Sequence, residues 1–159
     1  MGHLTRKQVG LLAASTLLLL PGTAEAQVDV PPEETSACQD SLQSAKAQLE
    51  QEGEVAVKTR TIDMSTGQKP AGYPDNRPIR YFFSLEGQGT EDILHSPQMM
   101  QTISTAIIET CDSVSQVTFE MSHTDWQMPF GLLESGKVEQ FQCAHDPRAG
   151  IPWGYMACL

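Results

Sequence analysis

The sequence predicts an α+β fold: a two-layer sandwich in which two helices pack on one face of a mostly antiparallel sheet of about five strands, with disulfide bonds as staples. Two stretches repeat apolar residues every three or four positions, which is typical of helices with one buried face. Other stretches alternate apolar and polar residues, which is typical of strands with one buried face. The cysteines number four, and an even number permits complete pairing into disulfide bonds.

The first predicted helix and strand lie within residues 36–62. Ser36 is the predicted N-cap, Gln39 completes a capping box, and Gly53 ends the helix. The apolar stripe of this helix consists of Cys38, Leu42, Ala45 and Leu49. Residues 54–62 alternate in the manner of a strand, and a loop rich in glycine and proline follows over residues 63–78.

The next strand and the second helix occupy residues 79–111. Residues 79–85 place Ile79, Tyr81, Phe83 and Leu85 on one face of a strand. Residues 87–95 are interpreted as a loop. Ser96 is the predicted N-cap of the second helix, and Pro97 occupies its first position, where a missing amide hydrogen costs nothing. The apolar stripe then runs to Cys111.

The rest of the chain predicts three further strands, over residues 115–121, 126–132 and 141–143, with a hairpin turn at residues 134–137. The segment before and within this turn nearly matches the phosphate-binding loop of nucleotide hydrolases, through Gly131, Gly136 and Lys137. However, Val138 replaces the hydroxyl residue that binds magnesium, and a strand follows where the motif requires a helix. We therefore interpret the segment as a turn.

Residues 1–26 have the pattern of an export signal. Arg6 and Lys7 precede an apolar run over residues 9–20, and small residues lie before a predicted cut after Ala26. The apolar run is too short to span a bilayer as a permanent anchor. We therefore expect a disordered entry segment over residues 27–34 and a single α+β domain over residues 35–159, located in the periplasm or outside the cell.

The composition is strongly acidic, which narrows the range of partners. Loss of Arg6, Lys7 and Glu25 with the signal reduces ten basic residues to eight and twenty acidic residues to nineteen, so the formal net charge goes from -10 to -11. Nucleic acid and anionic membranes both require a basic patch, so we expect neither as a partner of the mature chain. No motif indicates a cofactor or a dedicated metal site.

The cysteines are expected to form disulfide bonds in an exported protein, with three connectivities open. No pair has the C-x-x-C spacing of a redox site or a zinc knuckle. If successive elements alternate in direction, Cys38 and Cys111 lie at one end of the domain, and Cys143 and Cys158 lie at the other. This arrangement favours the pairs Cys38–Cys111 and Cys143–Cys158.

Two short loops each carry an imidazole and a carboxylate. His123 and Asp125 lie between two predicted strands, and His145 follows the last one. Such side chains bind zinc or act as acid and base, and an up-and-down meander places the two loops at the same end of the sheet. These residues are candidate catalytic groups, with or without a metal ion. The alternative is that they are solvated turn residues.

The sheet face away from the helices is a candidate binding surface. Lys58, Arg60 and Arg80 are expected there around an exposed Phe82, which would favour a protein or an acidic, extended ligand. The alternative is that the three cations pair with Glu86 and Glu120 on neighbouring strands. Other residues expected on this face are Thr118, Gln127, Gln140 and Gln142.

Three functions are compatible with these features. The favoured one is an exported binding or accessory domain without catalytic activity. The second is a small secreted or periplasmic hydrolase that uses His123, Asp125 and His145. The third is a structural subunit of a cell-surface assembly. The sequence indicates neither the identity of a ligand nor an oligomeric state.

Overall fold

The computed structural model describes residues 34–146 and 150–158. Over these residues, three helices pack on a mostly antiparallel sheet of five strands, which confirms the predicted α+β class. The predicted export signal lies outside the described residues, as does the entry segment apart from Glu34. None of the helices described is long and apolar enough to cross a membrane.

The helices and strands have the following bounds. The helices are α1 (Ser36–Gly53), α2 (Thr90–Leu94) and α3 (Pro97–Thr110). The strands of the main sheet are β1 (Ala56–Asp63), β2 (Ile79–Glu86), β3 (Val114–Met121), β4 (Gln127–Leu132) and β5 (Val138–Gln140). Two short strands, β6 (Gln142–Cys143) and β7 (Tyr155–Met156), pair in parallel as a second sheet.

The main sheet keeps the order of the chain, β1-β2-β3-β4-β5. Neighbouring strands are antiparallel except β2 and β3, which run parallel. A parallel pair cannot be joined by a tight turn and requires a crossover connection. The segment with α2 and α3 supplies that crossover. The second predicted helix, α3, therefore allows β2 and β3 to pair in parallel.

The helices differ from the prediction in two details. The N-cap of α1 is Thr35, whose hydroxyl accepts a hydrogen bond from the amide of Cys38 at 3.2 Å, so Ser36 lies inside the helix. The short helix α2 lies in the segment interpreted as a loop, and it buries Ile93 and Leu94. A helix of about one turn is too short to show the apolar period by which helices are recognised in a sequence.

The main core lies between the sheet and the helices α1 and α3. Phe83 and Phe119 from neighbouring strands stack with their ring centroids 5.6 Å apart. Cys38 near the start of α1 and Cys111 just after α3 join within this core, with their Cα atoms 4.8 Å apart, which confirms the first predicted disulfide bond. Other members fully buried there include Leu42, Leu49, Tyr81, Ile107 and Phe130.

A second cluster lies on the opposite face of the sheet and consists of Tyr73, Phe141 and Trp153. Gly131 shows on which face this cluster lies. The residues before and after Gly131 in β4 face the main core, so the Cα position of Gly131 faces the other side of the sheet. A Cβ added there would lie 2.5 Å from Phe141 Cε1, which places Phe141 on that other side. The fifth strand, predicted at residues 141–143, is therefore misplaced, because the main sheet has its fifth strand at Val138–Gln140. Beyond Gln140 the chain leaves the main sheet, turns Phe141 onto the other face, and pairs β6 with β7.

The second disulfide bond ties the C-terminal tail, of which residues 150–158 are described, to this region. Cys143 and Cys158 are joined with their Cα atoms 5.4 Å apart, which confirms the second predicted pair. The indole of Trp153 donates to the carbonyl of Leu132 at 2.8 Å. The tail is therefore fixed over the β4 end of the sheet.

Candidate functional site

We call the side of the main sheet that is turned away from α1 and α3 the open face. Lys58, Arg60, Arg80 and Phe82 lie on it, as the alternation of β1 and β2 predicts. The second cluster covers its β4 end, so only part of the face meets solvent. Gln140 does not lie on it, because this residue pairs with core-facing Phe130.

Phe82 is not an exposed aromatic residue, which corrects the sequence prediction. Its side chain is buried, and the guanidinium of Arg60 lies 3.7 Å from the ring centroid. Arg60 holds that position because it reaches across β2 to Glu120 on β3. The Nη2 and Nε atoms of Arg60 donate to the two carboxylate oxygens at 2.9 and 3.3 Å. The ring of Phe82 is therefore covered by the guanidinium of Arg60, which is already paired with a carboxylate.

Lys58 is also paired with a carboxylate. Its Nζ donates to Glu86 Oε2 at 3.1 Å, and both side chains are largely exposed. This hydrogen bond is the main cause that lowers the pKa of Glu86 from its ordinary value. For Lys58 and Arg60, cross-strand pairing therefore holds, and neither cation is left to attract an acidic partner strongly.

Arg80 differs from both neighbours. Its Nε donates to Gln116 Oε1 at 2.9 Å, and the amide nitrogen of Gln116 donates in turn to Thr118 Oγ1 at 2.5 Å. Within residues 34–146 and 150–158, Arg80 forms no ion pair, and its two Nη atoms have no hydrogen-bond partner. Burial lowers the pKa of Arg80, because withdrawal from water disfavours the charged guanidinium.

Arg80 lines two cavities on the open face, of about 260 and 670 Å³. Both are also lined by Pro70, Ile151 and Pro152, so they adjoin one another, and we call the two together the Arg80 groove. The floor of the smaller cavity comes from β2, β3 and β4, and the tail forms a wall. Among the residues described, no Asp or Glu lines either cavity, although the protein is strongly acidic.

The loop of residues 63–78 forms the remaining wall of the Arg80 groove. Tyr73 fixes the loop to the sheet: its hydroxyl donates to the carbonyl of Arg77 at 3.2 Å and hydrogen-bonds Ser115 Oγ at 2.8 Å. Burial raises the pKa of Tyr73, so this hydroxyl is a neutral structural group. Lys69, the second cation of the groove, lies 3.6 Å from Asp75 and is thereby partly neutralised.

The predicted catalytic residues His123, Asp125 and His145 lie in exposed segments of the chain. His123 lies in the turn after β3 with a positive φ of 64°, and the side chains of His123, Asp125 and His145 are exposed. Within the described part of the chain, the group of His, Cys, Asp and Glu side chains that converges as metal ligands would is Glu34, Cys38 and Cys111. Those two cysteines are joined to each other.

Gln116 and the tail residues are functional candidates that the sequence reasoning missed. A buried glutamine on an alternating strand has no distinctive signal, because its partner Arg80 lies on a different strand. Gly131 did carry a signal, since a glycine inside a strand often marks the close approach of another segment. The residue that approaches is Phe141, from beyond the hairpin.

No protein-family model, curated protein or solved structure matches this chain. The open face and the Arg80 groove are therefore the features from which a function can be inferred. Of the predicted binding residues, Arg80 lines a concave site, and its Nη atoms have no hydrogen-bond partner in the described part of the chain. The other two cations lie on the same face with their carboxylate partners.

Proposed function

We propose that this protein is an exported domain that binds an anionic partner through the Arg80 groove and catalyses no reaction. The observation that carries this proposal is a partly buried arginine whose Nη atoms have no partner among the described residues. Withdrawing a guanidinium from water is costly unless an opposite charge compensates for it. The protein is acidic, yet none of the described residues that line this groove is an acid, so the groove is suited to receive an anion from outside.

Export is supported by the pattern of residues 1–26 and by the two disulfide bonds, which persist in oxidising compartments. The binding role is supported by the shape of the site, since concave surfaces with a few convergent polar groups are typical of ligand sites. The hydrolase and the structural subunit stay predictions from the sequence, and no contact among the described residues favours either.

The test is a titration of the oxidised protein, followed by NMR, with an end-blocked peptide of alternating glutamate and valine. The carboxylates should bind Arg80 and shift the amide resonances of Gln116 and Phe141 in a saturable way. Replacing Arg80 with glutamine should weaken the affinity by about tenfold or more, because hydrogen bonds to charged groups are lost. The matching lysine–valine peptide should leave the same resonances unchanged.

The control variant is Lys58→Gln, which makes the same change of charge on the same face of the sheet. Lys58 is already paired with Glu86, so its loss should change the affinity little. Equal weakening by Arg80→Gln and Lys58→Gln would point to general charge attraction and contradict a site at Arg80. Absence of saturable binding of every anionic probe, small carboxylates included, would overturn the proposal.

A further inference from the structure

We propose that the ligand of the Arg80 groove is a small apolar carboxylic acid, whose carboxylate pairs with Arg80 and whose apolar body packs between the sheet and the tail. This inference rests on the proposed function and gives the chemical class of its ligand. Three features of the groove carry it: a fixed guanidinium, walls of largely apolar character, and a floor whose backbone already forms sheet hydrogen bonds.

The guanidinium of Arg80 is held in one orientation before any ligand arrives. Gln116 accepts from its Nε, and Thr118 fixes Gln116 from the other side. Gln116 and Thr118 are both fully buried, so this chain of hydrogen bonds is shielded from water. The two Nη atoms remain available, and a planar guanidinium binds the two oxygens of a carboxylate with parallel hydrogen bonds. A preorganised partner loses less entropy on binding.

Among its described lining residues, the groove offers one such anion site rather than several. Lys69 is the other cation described there, and it lies 3.6 Å from Asp75 Oδ1 and donates to the Asp75 carbonyl at 3.4 Å. Arg60 is engaged with both oxygens of Glu120. A ligand with a single carboxylate therefore matches the charge of the site, whereas a polyanion would find its further charges near these acidic partners.

The walls beside Arg80 are suited to an apolar body. The smaller cavity is lined mainly by apolar side chains, among them Pro129, Phe141, Ile151 and Trp153. Its polar lining beyond Arg80 includes the amides of Gln116 and Gln127. Small-molecule sites have this composition, with an apolar lining and a few polar groups that fix orientation. A volume of about 260 Å³ favours a compact ligand.

The floor of the groove argues against a peptide that adds to the main sheet as a further strand. Peptides that add to a sheet require the free backbone groups of an edge strand. The floor residues Arg80, Gln116 and Pro129 lie on β2, β3 and β4, which are the interior strands of the main sheet. Their backbone groups already face neighbouring strands, so side chains alone are left to recognise a ligand.

The experiment compares 3-phenylpropionate with 3-phenylpropionamide, which has the same apolar body without the charge. Calorimetry and NMR on the oxidised protein should show saturable binding of the acid, with shifts at the Gln116 side-chain amide and the Trp153 indole. The amide should bind about tenfold or more weakly, because it cannot accept the paired charged hydrogen bonds. Arg80→Gln should weaken binding of the acid by a similar factor.

Two further variants separate a specific site from loss of folding. Arg80→Lys keeps the charge and loses the fork, so its affinity for the acid should lie between those of the wild type and Arg80→Gln. Ile151→Ser removes apolar wall at a position that is only partly buried, and should weaken the acid and the amide by the same factor. Lys58→Gln is the matched charge control and should bind as the wild type does.

The outcomes distinguish this inference from the proposed function. Binding of the glutamate–valine peptide but not of 3-phenylpropionate would overturn the small-acid inference and leave the anion-binding function standing. Equal binding of the acid and the amide would also overturn it, because recognition would then not involve the carboxylate. Binding of neither the acid nor the peptide would overturn both proposals.

Discussion

The two faces of the main sheet differ in how completely they are closed. The helix side is a continuous apolar core in which the rings of Tyr81, Phe83, Phe119 and Phe130 are fully buried. The open face holds paired ions at β1 and the smaller cluster of Tyr73, Phe141 and Trp153 at β4, with the Arg80 groove between them. One sheet thus combines a sealed face with a face that is partly accessible.

This difference indicates a division of labour within one small domain. Close packing makes a core sensitive to any change in volume, so a ligand inserted among these buried rings would cost stability. The open face already leaves cavities. Its covering tail is held by one disulfide bond, the pairing of β6 with β7, the hydrogen bond from Trp153 to Leu132 and aromatic contacts. The residues of a binding site on the open face can therefore change while the core on the helix side maintains the fold.

The largest expected effect comes from removing the disulfide bond of the helix side. Cys38 and Cys111 are 73 residues apart, and their replacement by alanine should lower the free energy of unfolding by about 4 kcal/mol, because a long loop in the unfolded chain is released. Cys143 and Cys158 are 15 residues apart, which corresponds to about 3 kcal/mol. Denaturant unfolding of both double variants measures the two losses.

Limited proteolysis under native conditions sharpens the same comparison. The variant that lacks Cys143–Cys158 should be cleaved first in the tail, while the main core stays protected. The variant that lacks Cys38–Cys111 should instead lose protection throughout. A tail that stays resistant without its disulfide bond, or a larger loss of stability from Cys143–Cys158 than from Cys38–Cys111, would contradict the division between the two faces.

A smaller effect is expected where the open face meets the second cluster. In Gly131→Ala, the new methyl group would lie 2.5 Å from Phe141 Cε1 and 3.1 Å from Trp153 Cζ2, so both rings must move. The cost should be about 1–3 kcal/mol, as for other overpacked sites. Denaturant unfolding gives the loss, and tryptophan fluorescence reports displacement of Trp153.

Gly67→Ala is the matched control for that substitution. A methyl group at Gly67 would meet only Met64 Cε, at 3.8 Å, and the backbone there does not require glycine. Its free energy of unfolding should stay the same or rise by up to about 1 kcal/mol, because alanine restricts the unfolded chain. Equal destabilisation by the two variants would show that the second cluster does not depend on close approach to β4.

The elements of the helix side were predictable because their signals are local. A period of two identifies β2 and β3, and a period of three to four identifies α1 and α3. If these successive elements alternate in direction, Cys38 and Cys111 lie at the same end of the domain. That was enough to predict their disulfide bond correctly. The short helix α2 was missed because a single turn carries no period. The fifth strand was predicted at residues 141–143 instead of Val138–Gln140 because nothing local shows that Phe141 turns away from the main sheet.

The open face was less predictable because its contacts join distant segments. Alternation alone placed Lys58, Arg60 and Arg80 on the correct face. Which cation remains without a carboxylate depends on the register of β2 and β3, since this register lets Glu120 reach Arg60 across β2. The walls of the Arg80 groove depend on the tail, whose position follows from the second disulfide bond and from Gly131 rather than from any pattern of its own.

The smallest expected effect concerns the exposed pair of Lys58 and Glu86. The hydrogen bond from Lys58, and then its charge, lower the pKa of Glu86 from the ordinary value of 4.5. Because the folded-state pKa is the lower one, the pair contributes to the free energy of unfolding above pH 4.5 and loses this contribution as the pH falls through the folded-state pKa. Glu86→Gln should therefore melt slightly below the wild type at neutral pH and together with it in strong acid.

Melting curves of Lys58→Gln and of the double variant with Glu86→Gln complete this test. Each single variant removes the same pair, so the double variant should be no less stable than either one. Arg80→Gln should lack this acid-dependent difference, because within the described residues no carboxylate pairs with Arg80. If Arg80→Gln shows the same dependence as Lys58→Gln, then the guanidinium has a carboxylate partner, and the contrast between Arg80 and its two neighbours is wrong.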